Sequence, residues 1–311
     1  MVFALPKSTI AARKHPVRRN VARVLAATAL LAPLVLATAG TGHAGESDSG
    51  SGGDANGRTQ NTGRAAGSTI AEHENFTSPQ ARMAAAPSGV AGIDVSNWQG
   101  NINWNAVAAD GIEFAYIKAT GGTGYTDSKF DANYIESYRA GVIRGAYHFA
   151  RPNASNGATQ ANYFVSNGGD WSADGKTLPP MLDIEYNPSG DTCYGLSQSQ
   201  MVNWIKDFSN RVEQLSGRYP VIYTTTNWWK TCTGNSGAFN DTNPLMIANW
   251  GSSPSPLPAW PYHSIWQYTS SGNVAGIAGD VDRDSFNGSY SQLQRFARCA
   301  NESCSAAASA E

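Results

Sequence analysis

The feature that most constrains the fold of this chain is a series of short apolar segments that begins after residue 89. Each segment is rich in β-branched or aromatic residues, and helical patterns separate the early ones. Strands that alternate with helices predict a mostly parallel sheet. Eight such strands within about 200 residues indicate a single closed barrel. The eight predicted strands are GIDVS, FAYIKAT, VIRGAYHFA, PPMLDIEY, PVIYTT, PLMIANW, HSIWQY and GDVDRD.

The predicted helices are concentrated in the first half of this region. The segment DSKFDANYIESYRAG carries Phe130, Tyr134 and Tyr138 at helical spacing, and a second helical pattern runs up to Gly217. The later connections are short and rich in Gly, Pro and Ser. We therefore predict an α/β fold, a modified TIM-like (β/α) barrel with reduced helices in its second half. A doubly wound open sheet is the alternative, although no GxGxxG follows the first strand.

The N-terminal residues have the pattern of a targeting segment. A basic stretch precedes the apolar run VLAATALLAPLVLATAG, and Gly42 and Ala44 supply small residues for cleavage. A membrane anchor is the alternative, but the run is short for a span and contains Pro33. The sequence thus predicts a signal peptide over residues 1–44. We expect a secreted, extracellular protein with no membrane partner after cleavage.

Residues 45–88 differ in composition from the rest of the chain. They are rich in Gly, Ser and small polar residues and nearly lack large apolar side chains. Such a stretch buries too little surface to fold, so we predict a disordered linker or pro-segment. Residues 89–300 then form a single folded domain, and residues 301–311 form a short tail.

Composition and charge narrow the class of partner. The formal net charge of −2 provides no basic surface field, so we expect no nucleic-acid partner. Charged residues make up only 15% of the chain, whereas it holds 9 Trp and 13 Tyr. Aromatic rings combine a large apolar face with a polar edge, which suits the stacking of sugar rings. This balance favours carbohydrate recognition.

All four cysteines follow the predicted signal peptide, as expected of an exported protein. Four cysteines allow three connectivities, of which we favour Cys193–Cys232 together with Cys299–Cys304. Metal binding is the rival use of these residues. Because CxxC spacing and a nearby His cluster are missing, we expect no metal and no cofactor.

Two carboxylates end the fourth predicted strand, in LPPMLDIEYN. Because a strand alternates faces with period two, Asp183 and Glu185 point the same way. In a barrel the strand ends meet at one mouth, so Asp94 from the first strand and Asp282 from the last are expected beside them. Neighbouring acids raise the pKa of one member and keep it protonated, as glycoside hydrolysis requires. A divalent metal is the rival use of such a cluster.

Polar and aromatic residues stand at the ends of other predicted strands. His148 is a candidate catalytic base, with a packed and hydrogen-bonded histidine as the alternative. Aromatic rings around an acidic cluster are typical of a sugar-binding cleft. The residues at these strand ends are Tyr147, His148, Asn249, Trp250, Gln267 and Tyr268.

Seven motifs occur in a fixed order between residues 90 and 298: GIDVSNWQG, YIKAT, RGAYHF, MLDIE, ANW, IWQY and GDVDRDSFNG. In this order and spacing they resemble glycoside hydrolase family 25, the Chalaropsis-type lysozymes that include secreted actinomycete muramidases. The resemblance implies a compact modified (β/α) barrel. It also implies hydrolysis of the β-1,4 bond between N-acetylmuramic acid and N-acetylglucosamine. Peptidoglycan glycan strands are then the expected partner, and we expect the protein to be a monomer.

The resemblance also implies roles for single residues. Glu185, the glutamate of the DxE motif, would be the general acid, and Asp183 would orient and polarise the reacting centre. Asp94 and Asp282 would tune the charge and hold the sugar. Asp284 ranks below Asp282, because the family's aspartate follows the valine. The residues expected to bind substrate are Tyr147, Trp250, Tyr116, Gln267 and Tyr186.

The chain departs from the family pattern where KATGG replaces the usual KATEG. Gly121 therefore stands in place of a glutamate at the rim, which affects a subsite contact or a loop but leaves the four acids intact. Two other functions stay open. One is a chitinase, although the earlier aspartates of DxxDxDxE are missing. The other is a non-catalytic wall-binding protein, although such proteins typically lose the acid that Glu185 supplies.

Overall fold

The computed structural model describes residues 64–74 and 86–299. The predicted signal peptide, most of the predicted linker and the predicted tail lie outside these residues and stay predictions. Of the helices within the two described ranges, none combines the length and the apolar character needed to cross a membrane.

An eight-stranded barrel forms the centre of the fold, as the strand pattern predicts. Strands β1, β2 and β4 to β8 run parallel to one another, and β9 closes the barrel between β8 and β1 as an antiparallel strand. The short strand β3 pairs only with the end of β2. The strands in the described residues are β1 Val90–Val95, β2 Phe114–Gly121, β3 Tyr125–Thr126, β4 Ile143–Phe149, β5 Met181–Asp183, β6 Val221–Thr224, β7 Leu245–Ala248, β8 Ile265–Gly272 and β9 Val281–Phe286.

The direction of β9 corrects one detail of the sequence analysis. Asp282 lies near the start of β9, whereas the pattern predicted it at the end of a strand. Because β9 runs antiparallel to β1, its start lies at the barrel end where the parallel strands terminate, called the mouth below. The register pairs Asp282 directly with Asp94. The predicted convergence is thus achieved through a reversed strand.

The helices become fewer in the second half of the barrel, which confirms the prediction. Within the described residues, neither 249–264 nor 273–280 contains an α-helix. The longest helix, α5, begins at a capping box formed by Ser197 and Gln200 and ends where Gly217 adopts a φ of 76°. The helices are α1 Ile70–His73, α2 Trp104–Ala109, α3 Phe130–Arg139, α4 Gly157–Ser166, α5 Gln198–Ser216, α6 Thr226–Thr233 and α7 Tyr290–Arg298.

His148 is a packed residue on the outside of the barrel. Its Nδ1 lies 2.8 Å from the Thr120 hydroxyl and its Nε2 lies 2.9 Å from Gln160 Oε1 on α4. Its ring packs against Phe164 and Phe208, which belong to α4 and α5. Burial lowers the pKa of His148 to about 4. The structure thus favours the packed alternative over a catalytic base.

A disulfide joins Cys193 to Cys232, as predicted. It connects the loop after β5 to α6, across 39 residues of chain. The second predicted pairing cannot be compared in the same way. Cys299 has no disulfide partner within the described residues, and Cys304 lies outside them, so that pairing stays a prediction.

Residues 64–74, called the inserted segment below, pack against the barrel mouth. The composition of residues 45–88 predicts too little buried surface to fold, yet several side chains within residues 64–74 are buried. Ile70 and Thr69 are fully buried, and Ala66 is nearly so. The stretch forms a turn followed by the short helix α1. A polar composition averaged over 44 residues concealed a few buried side chains.

Candidate active site

Asp183 and Glu185 lie together at the mouth, as the period of a strand predicts. Asp183 is the last residue of β5, and Glu185 follows it two positions later. Both carboxylates are buried. Burial, followed by repulsion from Glu185, raises the pKa of Asp183 well above its usual range. The two side chains therefore share one site.

Asp94 joins this site through a hydrogen-bond network. Gln267 Nε2 donates to Asp94 Oδ2 at 2.7 Å. The Oε1 atom of the same glutamine accepts one bond from the Tyr223 hydroxyl and one from the Trp250 indole N–H, each 2.8 Å long. Burial and the nearby Glu185 raise the pKa of Asp94 to about 7, against the opposing effect of the Gln267 bond. The network fixes the position of a carboxyl group that gains or loses its proton near neutral pH.

Asp282 and Asp284 complete the acidic cluster from β9. Asp282 pairs with Asp94. Asp284 follows two residues later on β9, pairs with Gly92 and lies further from the mouth. Burial, followed by repulsion from Asp94, raises the pKa of both residues well above the usual range. The resemblance to the family ranks Asp284 below Asp282 as a site residue. The structure buries it fully beside the same acids, so it belongs to the same electrostatic cluster.

Burial is the main reason that Glu185 resists ionisation. It raises the pKa of Glu185 to about 7, while donors from Thr69 and Gly67 and the charge of Lys118 act in the opposite direction. The pairing of acids in the sequence predicts that repulsion between neighbouring carboxylates causes this shift. Repulsion by Glu185 instead contributes to the shifts at Asp183 and Asp94, where it follows burial. A carboxyl group with a pKa of about 7 can hold a proton near neutral pH.

Asp183 has unused hydrogen-bonding capacity. Neither of its carboxyl oxygens has a hydrogen-bond partner among the residues that the structure describes. Lys118 approaches from β2, where its Nζ lies 5.1 Å from the ring centroids of Tyr125 and Phe149. Burial lowers the pKa of Lys118 to about 8, and Asp183 counteracts this shift. A buried, unpaired carboxyl group is costly unless a ligand satisfies it.

Four of the five predicted substrate-binding residues lie at the mouth. Tyr147 accepts a hydrogen bond from the backbone of Ala66, and Tyr186 donates one to Glu74. Trp250 and Gln267 belong to the Asp94 network described above. These four side chains thus surround the acidic cluster.

Tyr116, the fifth residue predicted to bind substrate, lies away from the mouth. Its hydroxyl donates to the carbonyl oxygen of Pro179, which precedes β5. The N-terminal ends of the parallel strands lie opposite the mouth, so this bond holds the ring deep in the barrel. Tyr116 is fully buried there. It faces the barrel interior like Lys118, but one layer further from the mouth.

Sequence reasoning missed Tyr223 and Lys118. Tyr223 occurs in PVIYTT, the fifth predicted strand, and the strand-end rule could have identified it. Lys118 occurs in YIKAT, where its charge gave no sign that it points into the barrel. Gly121 pairs with Tyr125 and Phe149 at the end of β2, so the missing glutamate leaves the strand pairing intact.

The site combines carboxyl groups that can donate protons with hydrogen-bonding side chains and aromatic rings. Several carboxyl groups with raised pKa values lie next to a fixed hydrogen-bond network, which is the environment that general acid catalysis requires. Within residues 64–74 and 86–299, no set of three or more His, Cys, Asp or Glu residues has a geometry suited to a metal ion.

Comparisons with known proteins also indicate a glycoside hydrolase. The sequence model of glycosyl hydrolases family 25 matches residues 93–277. Lysozyme M1 of Streptomyces globisporus is 56% identical over 217 residues, which cover 68% of this chain and 73% of that protein. The N,O-diacetylmuramidase of Chalaropsis sp is 45% identical over 213 residues, which cover 67% of this chain and 99% of that protein.

The fold agrees with a solved structure of comparable sequence. The crystal structure of the bacterial lysozyme from Streptomyces coelicolor has a TM-score of 0.68 and 55% identity, and the match covers 68% of this chain and 99% of that one. Because the family model spans more than half of the chain and these relatives exceed 40% identity over two thirds of it, the chain belongs to glycosyl hydrolases family 25.

Proposed function

We propose that this chain is a muramidase, which hydrolyses the β-1,4 bond between N-acetylmuramic acid and N-acetylglucosamine in peptidoglycan. One observation carries the proposal: Glu185 is fully buried at the barrel mouth with a pKa raised to about 7, next to Asp183 and Asp94. The names of the relatives, a lysozyme and an N,O-diacetylmuramidase, support the class of substrate.

Glu185 acts as the general acid in this proposal. The bond between the anomeric carbon and the glycosidic oxygen breaks, its electron pair stays on that oxygen, and Glu185 donates the proton that the oxygen receives. Water adds its oxygen to the anomeric carbon and releases a proton, which restores the acid. A pKa raised to about 7 lets Glu185 hold the proton that it donates in this step.

Asp183 orients the reacting sugar. Both of its oxygens lack partners among the described residues, so they are available to a group on the substrate such as an acetamido N–H. Asp94 and Asp282 hold the sugar and set the local charge. Gln267 fixes Asp94 in place, and the register between β1 and β9 brings Asp282 beside it.

The site of action is proposed to be outside the cell. The predicted signal peptide supports this, and so does the disulfide between Cys193 and Cys232, since structural disulfides persist in oxidising compartments. We propose that the protein acts there as a monomer. N-terminal sequencing and sedimentation of the protein recovered from culture medium test both statements.

The test compares Glu185→Gln with the unchanged protein in the clearing of a cell-wall suspension. Because the inserted segment contacts Glu185, each protein is assayed both whole and after residues 64–74 have been cut away. We expect the variant to lose about 10²–10⁴-fold in rate, the usual contribution of general acid catalysis. Glu113→Gln, at an exposed position, is the matched control and should retain full activity. Wall binding without release of reducing ends would favour the wall-binding alternative.

A further inference from the structure

The inserted segment makes its closest polar contacts with the proposed general acid. The backbone N–H of Gly67 donates to Glu185 Oε1 at 2.8 Å. The backbone N–H and the hydroxyl of Thr69 both donate to Glu185 Oε2, at 3.2 and 2.5 Å. Both oxygens of Glu185 are therefore engaged by residues that precede the barrel in sequence.

Gly67 lies directly on the proposed sugar-binding residues. A Cβ atom at this position would stand 3.0 Å from the Tyr223 hydroxyl, 3.1 Å from Trp250 Cζ2 and 3.3 Å from Gln267 Oε1. Its φ of +78° is a conformation that favours glycine. The segment backbone thus occupies the space above the Asp94 network, and only glycine fits there without displacement of the neighbours.

A second set of contacts fixes the other end of the inserted segment. Glu74 Oε1 accepts a hydrogen bond from the Tyr186 hydroxyl at 2.7 Å and another from the Thr225 hydroxyl. Asn227 donates to Glu74 Oε2 at 3.1 Å. The His73 ring is stacked on Tyr186 with a centroid distance of 4.3 Å and an interplanar angle of 4°. A flat ring on Tyr186 is the contact that we expect from a bound sugar.

We propose that residues 64–74 form an intramolecular inhibitor, which fills the substrate cleft so that hydrolysis requires its departure. The proposal rests on the assignment of this cleft as the muramidase site. It makes the cleft a binding site for a peptide of this chain as well as for glycan. Gly67, Thr69, Ile70 and Glu74 of the inserted segment supply the main contacts.

Two physical effects prevent catalysis while the segment is bound. A sugar cannot approach Glu185, because the segment backbone covers it and leaves the carboxyl group fully buried. The three donors from Gly67 and Thr69 also require Glu185 to accept hydrogen bonds, which stabilises the carboxylate. A general acid must instead donate a proton. The bound segment therefore blocks substrate binding and occupies both oxygens of the acid.

The expected strength of inhibition follows from tethering. A ligand attached to its own site commonly has an effective concentration in the millimolar range. A segment whose Kd as a free peptide is about 0.1 mM would then lower the activity of the whole chain about tenfold. Modest contacts are sufficient because the two partners are parts of one chain.

The test begins with the full chain, in which a recognition site for a specific protease replaces residues 78–83. Cleavage of the folded protein, followed by dilution, releases the inserted segment without refolding. We expect the rate of reducing-end release from peptidoglycan to rise at least about tenfold after cleavage. The same protease treatment of the chain without the introduced site is the control.

Substitutions within the inserted segment provide the second arm. Gly67→Val and Ile70→Asp should activate the uncut chain to the level of the cut enzyme, because the first clashes with Tyr223 and the second buries a charge. Ala71→Asp is the matched control for Ile70→Asp, since Ala71 is exposed, and should leave the uncut chain inhibited. After cleavage and dilution, all three variants should be equally active.

A synthetic peptide of residues 64–74 provides the third arm. It should inhibit the cut enzyme in competition with glycan and should change the fluorescence of Trp250, which lies 3.1 Å from the Cβ position of Gly67. A peptide carrying Gly67→Val should do neither.

Equal activity of whole and cut chains, with no effect of Gly67→Val or Ile70→Asp, would overturn the inhibitor. A different result would separate the two proposals. If no form of the protein released reducing ends but the peptide bound with the stated dependence on Gly67, the segment would still fill the cleft. The muramidase assignment would then be the statement that failed.

Discussion

At the scale of single residues, burial decides which carboxyl groups can hold a proton. Glu185 and Asp94 each have a pKa raised to about 7, and for both the main cause is removal from water. The neighbouring charges modify these values but do not set them. A chain that closes a barrel around several acids thereby produces proton donors from side chains that are ordinarily ionised at neutral pH.

The pH dependence of the cut enzyme is the first prediction at this scale. Since Glu185 must be protonated to donate, kcat/KM should fall as the pH rises through the pKa of Glu185. Asp94→Asn removes a negative charge near Glu185, so it should move this limb of the profile to lower pH. A pH–rate series on both proteins measures the shift. An unchanged limb, or one displaced to higher pH, would contradict the electrostatic coupling of the two groups.

Gln267 allows a second prediction, about stability. Gln267→Leu leaves the Tyr223 hydroxyl and the Trp250 indole N–H without their shared acceptor. Loss of a hydrogen-bond acceptor costs about 1–3 kcal/mol for each buried donor, so the free energy of unfolding should fall by about 2–6 kcal/mol. Denaturant titration measures the change. Gln214→Leu, at an exposed position on α5, should have little effect, and equal losses in the two variants would argue against the network.

Sequence alone identified the acids but not every residue around them. The period of two placed Asp183 and Glu185 on one face, and the strand-end rule identified Asp94. Tyr116 is expected at the mouth but lies deeper, because the alternation of side chains along a strand does not show which layer of the barrel an inward residue occupies. The depth of a side chain depends on strand stagger, which pairing between distant strands determines.

At the scale of elements, a reversed strand and a disulfide shape the site. Asp282 reaches the mouth because β9 runs antiparallel to β1. The order of apolar segments predicts the number of strands well, since each carries its own pattern. It does not by itself give the direction of the last one. Residues 273–280 form a short connection without a helix, however, and such a connection favours an antiparallel strand.

The disulfide between the loop after β5 and α6 gives a prediction for the element that carries Glu185. Replacement of Cys193 and Cys232 by serine should lower the free energy of unfolding by about 4 kcal/mol, because the bond closes a loop of 39 residues in the unfolded chain. Chemical denaturation under oxidising conditions measures the loss. If the double variant matched the parent protein, the bond would not restrict the unfolded state as expected.

At the scale of the whole molecule, the buried acids couple stability to pH. Asp94 and Glu185 have folded pKa values near 7 and ordinary unfolded values near 4. The pKa values of Asp183, Asp282 and Asp284 shift in the same direction. The folded state therefore binds more protons between these limits, and the free energy of unfolding should fall as the pH rises through about 7. His148, with a lowered pKa of about 4, opposes this trend from about pH 4 to 6.5.

Thermal unfolding at about pH 5 and about pH 8 checks this prediction. The midpoint should be higher at the acidic value, since five buried carboxyl groups outweigh one histidine. The variant with both Asp94→Asn and Glu185→Gln should show a weaker dependence on pH. A midpoint that rises with pH in the parent protein would mean that these acids are ionised in the folded state.

The inserted segment lies at the limit of what sequence can predict. Its contacts with Glu185 come largely from backbone N–H groups, which carry no residue signature. Ile70 and Gly67 make contacts that depend on the type of side chain. Neither residue stands out in the sequence, because the region around them is rich in glycine and small polar residues. Compositional reasoning averages over such positions, whereas the structure shows that a few buried residues suffice to seat a polar segment in a cleft.

The central claim is that Glu185 drives cleavage on the reducing side of N-acetylmuramic acid. Its most direct test is mass spectrometry of borohydride-reduced products from defined peptidoglycan, digested by the cut enzyme. We predict new ends that are reduced N-acetylmuramic acid, and none from Glu185→Gln. New ends of reduced N-acetylglucosamine, or unchanged product from Glu185→Gln, would contradict the account.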